Sequence, residues 1–195
     1  MEAENLALWR SSIARALHRN RSLPQSRYFQ LATVNKNGHP ANRTVVYRGF
    51  RDKTNQIQII SDLRSDKIEQ INYSPWAEIC WYFSQTREQF RLTGTIQIIS
   101  ASDESLQPVR LNVWQQLSDA ARLQFAWPNP KSPRIAEKEA FFPPSPSIDE
   151  PLPNFCLLLF NPIMVDHLEL RGEPQNRWIY QLNELNDWII ESVNP

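Results

Sequence analysis

Glycine is scarce in this sequence: 4 of the 195 residues are glycine, whereas 15 are proline. Neither GxGxxG nor GxxxxGK followed by Ser or Thr occurs. Both of these phosphate-binding loops need glycines where the backbone turns tightly or approaches a phosphate. These two kinds of nucleotide site are therefore excluded.

Residues that bind metals or act as nucleophiles are also few. The three histidines, His18, His39 and His167, lie in unrelated contexts, without HExxH or paired-cysteine spacing, so no metal site is predicted. Cys80 and Cys156 lie in apolar runs, which favours reduced buried thiols over a disulfide. Neither cysteine is next to a histidine and there is no Gly-x-Ser-x-Gly elbow, so no nucleophile is predicted.

Net charge is absent as well, since 21 Lys and Arg balance 21 Asp and Glu. A neutral chain creates no field that recruits nucleic acid, and it opposes self-association little. No apolar run approaches the ~20 residues of a membrane span, and no apolar segment of the secretory kind follows Met1. We expect a cytoplasmic protein, with neither nucleic acid nor a membrane as partner.

The pattern along the chain predicts one domain, residues 1–195, that is mainly β (α+β). An amphipathic N-terminal helix is predicted within residues 1–22, and a proline-rich loop within 128–153. Further helices are predicted over 66–72 and over 104–125, the second broken near Ser118. The predicted strands are 28–34, 41–48, 56–61, 76–83, 89–99, 156–160, 163–170, 178–181 and 188–192. Sequential hairpins of this kind favour a closed or half-closed antiparallel barrel with peripheral helices.

Residues 43–67 contain the strongest chemical signal. Ser65 is a suitable N-cap for the helix that follows, and free amides at a helix start attract anions. Lys67 lies in the first helical turn, where a cation opposes the helix dipole unless an anion is bound there. Two interpretations remain open: a phosphate site, or an ordinary capped helix with a solvated lysine.

Arg43 and Arg48 extend this polar group. Five strand steps separate them, roughly 17 Å at about 3.3 Å per residue, which is the length of an extended mononucleotide. In a regular strand they point to opposite faces, so a shared ligand requires Arg43 at the strand edge, or a bulge. The alternative is a pair of solvated arginines.

Taken in order, several stretches resemble the FMN-binding part of the pyridoxamine 5'-phosphate oxidases, from about residue 28 to the end. They are ATVNKNGHP (32–40), RTVVYR (43–48), ISDLRSDK (60–67), REQ (87–89), TG (93–94), PLPNF (151–155) and NRWIYQ (176–181). The resemblance implies an antiparallel split β-barrel and a homodimer whose two FMN sites lie across the subunit interface.

The resemblance also implies roles for individual residues. Arg43 and Lys67 hold the FMN phosphate with the hydroxyls of Ser61 and Ser65, and Asp66 stands where the oxidases use an arginine, so it repels the phosphate unless it turns away. Gln89 reaches the flavin from the second subunit. The other implied cofactor contacts are Thr44, Val45, Val46, Tyr47, Arg48, Ile60, Lys131, Ser132 and Arg177.

The substrate end departs from the family. Where the oxidases place tyrosine, arginine and serine around the substrate phosphate, this chain has Trp114, Ser118 and Arg122, and the C-terminal Arg-x-His is reduced to Pro174-Gln175. We therefore expect an FMN-dependent oxidoreductase that transfers a hydride between flavin and an unidentified small molecule. Arg48 is the candidate for an electrostatic role near the ring. The alternatives are a true pyridoxamine or pyridoxine phosphate oxidase with a rearranged pocket, a non-catalytic flavin-binding protein, and a split barrel without FMN.

Overall fold

The structure, a computed structural model, describes residues 6–195. Its strands are β1 (Tyr28–Val34), β2 (Pro40–Val46), β3 (Ile57–Asp62), β4 (Trp76–Phe83), β5 (Glu88–Ile99), β6 (Phe155–Glu169), β7 (Asn176–Leu182) and β8 (Trp188–Val193). Its α-helices are α1 (Leu8–Arg19), α2 (Asp66–Tyr73), α3 (Gln107–Gln115) and α4 (Asp119–Leu123). The part of the predicted N-terminal helix before residue 6 lies outside the described residues.

All eight strands form one antiparallel sheet in the order β2-β1-β4-β5-β6-β7-β8, and β3 pairs with the first half of β6. The sheet therefore curls without closing, which is the split form of a barrel. β6 is a single strand of 15 residues, so the prediction of two strands, 156–160 and 163–170, was wrong. Pro162 is tolerated inside it because β6 has a bulge at this point: Thr93 pairs with Met164 and Gly94 with Pro162, which leaves Ile163 without a partner on β5.

Two apolar clusters lie against this sheet. The larger one packs the inward residues of β1, β4 and β5 against α1 and α2, and Trp9 of α1 lies 5.5 Å from Trp188 between ring centroids. The smaller one packs α3 and α4 against the opposite side of β6, with Trp114 4.9 Å from Phe155. Alternation along each strand explains both clusters, since successive side chains point to opposite faces.

The segment predicted as one broken helix, 104–125, contains α3, α4 and short 3-10 turns. Ser118 caps α4 as predicted, because its hydroxyl accepts a hydrogen bond from the Ala121 amide. Between residues 128 and 153 one 3-10 turn, Lys138–Phe141, is formed. Over residues 6–195, every helix is too short or too polar to cross a membrane.

Candidate functional site

A cavity of about 700 Å³ opens between β2, β3, the start of α2 and the segment from Ala121 to Phe141. Its volume lies within the range of small-molecule sites. Nine of the residues predicted to contact a cofactor line it: Arg43, Thr44, Val45, Val46, Arg48, Ile60, Lys67, Lys131 and Ser132. The fold therefore collects residues from three separate parts of the sequence into one cavity.

Arg43 and Arg48 both line this cavity, although an unbroken strand would point them to opposite faces. β2 ends at Val46, and the backbone then turns so that the Arg48 amide donates to the Gln58 carbonyl at 3.0 Å. β2 is also the terminal strand of the sheet, so one edge of Thr44 to Val46 has no neighbouring strand among residues 6–195. Peptide groups along such an edge are available to a ligand.

Lys67 joins two hydroxyls at one end of the cavity. Its ammonium donates to Ser61 Oγ at 3.0 Å and to Ser65 Oγ at 3.1 Å, and the two hydroxyls lie 3.2 Å apart. Burial lowers the pKa of Lys67, and the charge of Arg43 lowers it further. Among residues 6–195 no carboxylate oxygen lies within 4.0 Å of the charged groups of Lys67 or Arg43. Two cations without a direct carboxylate partner, beside two hydroxyls, form a set of donors suited to an oxyanion.

The structure corrects one local prediction here. Ser65 occupies the N-cap position of α2, but its hydroxyl caps no backbone amide. Instead the Ser65 hydroxyl donates to the Asp62 carbonyl at 2.8 Å and accepts from Lys67. The hydroxyl is therefore oriented by the turn and directed towards the lysine.

Arg43 is held by neutral acceptors. Nη1 donates to the Leu31 carbonyl at 3.1 Å and to Thr33 Oγ1 at 2.7 Å, while Nη2 donates to Gln70 Oε1 at 2.7 Å. Burial lowers the pKa of Arg43, partly offset by the charge of Asp66. Sequence analysis missed Thr33 and Gln70, which come from β1 and α2. These contacts fix the guanidinium, and no carboxylate of residues 6–195 forms a salt bridge with it.

Asp66 is not among the residues that line the cavity, and it pairs with another cation. Its carboxylate forms a salt bridge with Lys131, 65 positions further along the chain, and the hydrogen bond from Lys131 lowers the pKa of Asp66. The repulsion expected from a carboxylate in place of the family's arginine is thereby relieved. The same salt bridge ties the proline-rich loop to the start of α2.

A second set of hydrogen bonds, around Asp62 and Arg64, holds the wall of the cavity. Sequence analysis did not predict it, although both residues lie within 60–67. Arg64 Nη2 donates to Asp62 Oδ2 at 2.6 Å, and Arg64 also donates to the carbonyls of Phe125 and Trp127. Asn154 Nδ2 donates to Asp62 Oδ2 at 2.8 Å. Burial alone would raise the pKa of Asp62, but hydrogen bonds from Arg64 and Asn154 outweigh it and hold the pKa below the usual value.

Three predicted contacts lie elsewhere in the described chain. Tyr47 packs in the core 5.0 Å from Trp81 between ring centroids, and burial raises its pKa to about 12. Arg177 donates two hydrogen bonds to Asp166, at 3.0 and 2.7 Å. Gln89 lies on β5, where its Oε1 is 4.0 Å from Cys80 Sγ.

Gln89 nevertheless shares a face of the sheet with the cavity. Thr44 pairs with Gln30, and Gln30 pairs with Cys80, which contacts Gln89. The face that starts beside the cavity at β2 therefore continues across β1 and β4 to Gln89. Exposed aromatic residues lie on it, namely Tyr28, Trp76 and Tyr82.

The three residues at the family's substrate-phosphate positions have structural roles in this protein. Trp114 is fully buried and its indole N–H donates to the Ser147 carbonyl at 2.9 Å. Arg122 is also buried, donating to the Leu117 carbonyl and pairing with Asp119. These two residues and Ser118, the α4 cap, are absent from the lining of the cavity as formed by residues 6–195.

One further polar cluster is buried where β5 begins and β6 ends. Glu88 Oε2 lies 3.1 Å from His167 Nε2, and Glu169 is close by. The His167 ring stacks on Phe90 at 4.0 Å, and its Nδ1 has no hydrogen-bond partner in the described chain. Metal-binding histidines ordinarily donate that second nitrogen to an acceptor. We therefore interpret Glu88 and His167 as a structural pair.

An open antiparallel barrel with an oxyanion site at one end of a large cavity defines a binding protein for a small phosphorylated ligand. Comparison with known proteins identifies the ligand class. Residues 6–100 match the model of the family described as pyridoxamine 5'-phosphate oxidase, FMN-binding domain. The chain is 39% identical over 195 residues to pyridoxine/pyridoxamine 5'-phosphate oxidase 2 of Arabidopsis thaliana, covering 98% of both chains.

Comparison with solved structures supports the same family. A pyridoxamine 5'-phosphate oxidase-related, FMN-binding protein of Nostoc punctiforme superposes with a TM-score of 0.95 at 61% identity, covering 97% of this chain and 99% of that one. PhzG of Burkholderia lata has the same fold, with a TM-score of 0.76 at 15% identity over 98% and 93% of the two chains. This chain belongs to the pyridoxamine 5'-phosphate oxidase family, whose cofactor is FMN.

The residues present fit that cofactor. Two cations and two hydroxyls suit a phosphate group, and the adjoining edge of β2 with Arg48 suits a polar ring. Burial lowers the pKa of Arg48. The comparisons confirm the predicted family, fold class and cofactor, and they place the protein among oxidoreductases.

Proposed function

We propose that this protein is an FMN-dependent oxidoreductase that binds the flavin in the cavity beside β2 and acts on a small molecule. The observation that carries the proposal is the convergence of Lys67 with Ser61 and Ser65 next to Arg43, with no carboxylate oxygen of residues 6–195 within 4.0 Å of either cation. When bound, FMN supplies hydride transfer, and the protein supplies binding, orientation and electrostatics.

Each group of residues has its own task in this proposal. Arg43, Ser61, Ser65 and Lys67 hold the phosphate at one end. Thr44, Val45 and Val46 border the ring, with Ile60, Lys131 and Ser132 as further contacts. Arg48 places a positive charge at the far end, where it stabilises negative charge that develops on the ring.

The site is completed by a second copy of the chain. Gln89 and Arg177 line no part of the cavity in the described single chain, but β5 and β7 carry them on the sheet face that begins beside it. A two-fold axis over this face would place the Gln89 of each chain against the cavity of the other, because a two-fold interface uses the same surface on both copies. Exposed Tyr28 and Tyr82 supply the aromatic contacts that such interfaces favour.

A spectrum of the purified protein tests the central proposal. We expect a bound flavin that denaturation releases as FMN, and bleaching by reduced nicotinamide without oxygen followed by recovery in air. Protein that is colourless and is not stabilised against heat by added FMN would refute the assignment. A flavin that binds but is never reduced would instead indicate a carrier.

Oxidation of pyridoxamine or pyridoxine 5'-phosphate is the second candidate, favoured by the similarity to the Arabidopsis thaliana protein over nearly the whole chain. The burial of Trp114 and Arg122 argues against it, since these residues would have to leave the core to contact a substrate phosphate. Peroxide release from pyridoxamine 5'-phosphate by the FMN-loaded protein would establish this activity.

A further inference from the structure

The cavity contains more positive charge than the FMN phosphate requires. Six cationic residues line it, but Arg64 is paired with Asp62, and Lys131 with Asp66. Under the proposed function, Arg43 and Lys67 face the phosphate and Arg48 the ring. The remaining cation is Arg134, which has no carboxylate within 4.0 Å among residues 6–195.

Arg134 lines the cavity and lies on an aromatic ring. Its guanidinium carbon is 4.1 Å from the centroid of the Phe141 ring, and Phe141 lies edge-on to Trp127 at 5.9 Å. Ile135 adds an exposed apolar side chain to the same lining. We call Trp127, Arg134, Ile135 and Phe141 the aromatic subsite. A guanidinium stacked on a ring keeps its N–H edge free for a planar, two-oxygen acceptor.

The subsite suits a carboxylate better than a phosphate. A guanidinium can bind either group through two parallel hydrogen bonds, but a carboxylate bears one charge and a phosphate dianion two, so a single arginine balances only the carboxylate. The additional donors that would serve a second phosphate are committed to the fold, since Arg122 bonds the Leu117 carbonyl and Asp119. Trp127 contributes its ring to the cavity lining, since its indole Nε1 is buried and not open to a ligand.

We propose that the substrate is a planar aromatic or heteroaromatic carboxylate, bound with its carboxylate on Arg134 and its ring against Trp127 and Phe141. This inference rests on the proposed function, because the same cavity then places the substrate ring beside the flavin. Arg134 and the two aromatic residues are the specificity determinants.

The test uses FMN-loaded protein and three probes of one ring system: naphthalene carboxylate, the neutral naphthalene carboxamide, and naphthyl phosphate. Binding is followed by the change in the visible absorption of the flavin and by calorimetry. We expect the carboxylate to bind about ten-fold or more tightly than the carboxamide, the scale of a charge-assisted hydrogen bond. Arg134→Gln should abolish this preference and leave FMN affinity unchanged. Lys138→Gln removes a charge from the same loop outside the cavity lining and should keep the preference.

Equal binding of carboxylate and carboxamide by protein saturated with FMN would overturn the inference alone. Retention of the preference in Arg134→Gln, or tighter binding of the phosphate than of the carboxylate, would overturn it as well. Failure of the wild-type protein to bind FMN would overturn the proposed function, and this inference with it. Measuring FMN affinity first therefore separates the two failures.

Discussion

Lys67 Nζ lies 3.0 Å from Ser61 Oγ, across the turn that joins the end of β3 to the start of α2. A lysine in the first turn of a helix opposes the helix dipole, so its position here requires another partner. The two serine hydroxyls supply dipoles but no charge. The relationship supports the proposal that this turn binds the phosphate of FMN.

Removal of either cation should weaken FMN binding. We expect Lys67→Ala and Arg43→Ala each to raise the dissociation constant for FMN ten-fold or more, on the scale of ~1.5–3 kcal/mol for a charged hydrogen bond. Quenching of flavin fluorescence measures this constant. Lys36→Ala is the matched control, because Lys36 is exposed and pairs with Glu69 outside the cavity. Unchanged affinity in both variants would refute the phosphate assignment.

FMN affinity should fall at alkaline pH. The pKa of Lys67 lies below its ordinary value of 10.5 because of burial and Arg43, so the unliganded protein loses this proton early. A phosphate binds the protonated form, hence affinity decreases as pH rises through the lowered pKa towards 10.5. Stability of the unliganded protein changes in the opposite direction over that window, since the unfolded lysine holds its proton more tightly.

The matched variant for this pH dependence is Lys67→Arg, which stays charged throughout and should give a flat affinity profile. Titrations of FMN at several pH values up to the ordinary lysine pKa make the comparison. A flat profile for the wild-type protein would show that Lys67 carries no charge-dependent contact to the ligand.

The Asp62 network should hold the cavity wall in place. Asp62→Asn removes the charge that Arg64 and Asn154 contact, and we expect a loss of roughly 1.5–3 kcal/mol in the free energy of unfolding. We also expect faster proteolysis within residues 128–153, because Arg64 no longer holds the Trp127 carbonyl. Asp52→Asn, on an exposed turn, is the control for urea unfolding and limited proteolysis. Equal stability of the two variants would contradict this role.

Gly94 should resist any side chain. A Cβ there would lie 2.1 Å from the Asn161 carbonyl oxygen and 2.9 Å from Pro162 Cα, both rigid backbone atoms. Gly94→Ala should therefore cost about 3 kcal/mol or more, as overpacking of a rigid site does. Gly38→Ala has open space around it and only a strained φ of +78°, so it should cost about 1 kcal/mol. Thermal unfolding of the two variants distinguishes steric overlap from backbone strain.

Mixing two inactive variants tests the composite site. If Arg43 and Gln89 of different chains share each flavin, a dimer of one Arg43→Ala chain and one Gln89→Ala chain has one intact site. Random reassociation should then restore about a quarter of the sites, because half the dimers are mixed and each has one intact site of two. FMN content after refolding the mixture measures this. Recovery no greater than the mean of the separate variants would refute sharing.

Much of the fold follows from local sequence. Residues 28–34 and 76–83 were predicted as strands to the residue, because both are rich in aromatic or branched residues and are bordered by polar or proline-containing segments. The break of the long helix at Ser118 was predicted because capping is a local property. The division of β6 was wrong because proline ordinarily ends a strand, whereas here Ile163 is skipped in the pairing with β5 and the strand continues through Pro162.

The sequence by itself determined the chemistry of the phosphate end, since Ser61, Ser65 and Lys67 lie within seven residues and one turn brings them together. Tertiary structure alone decided how that chemistry is used. It brought Gln70 and Thr33 to Arg43, turned Asp66 to Lys131, buried Trp114 and Arg122, and placed Arg134 on Phe141. The physical reason is that these are contacts between side chains of separate elements, which form only when the sheet curls and the proline-rich loop folds over the cavity.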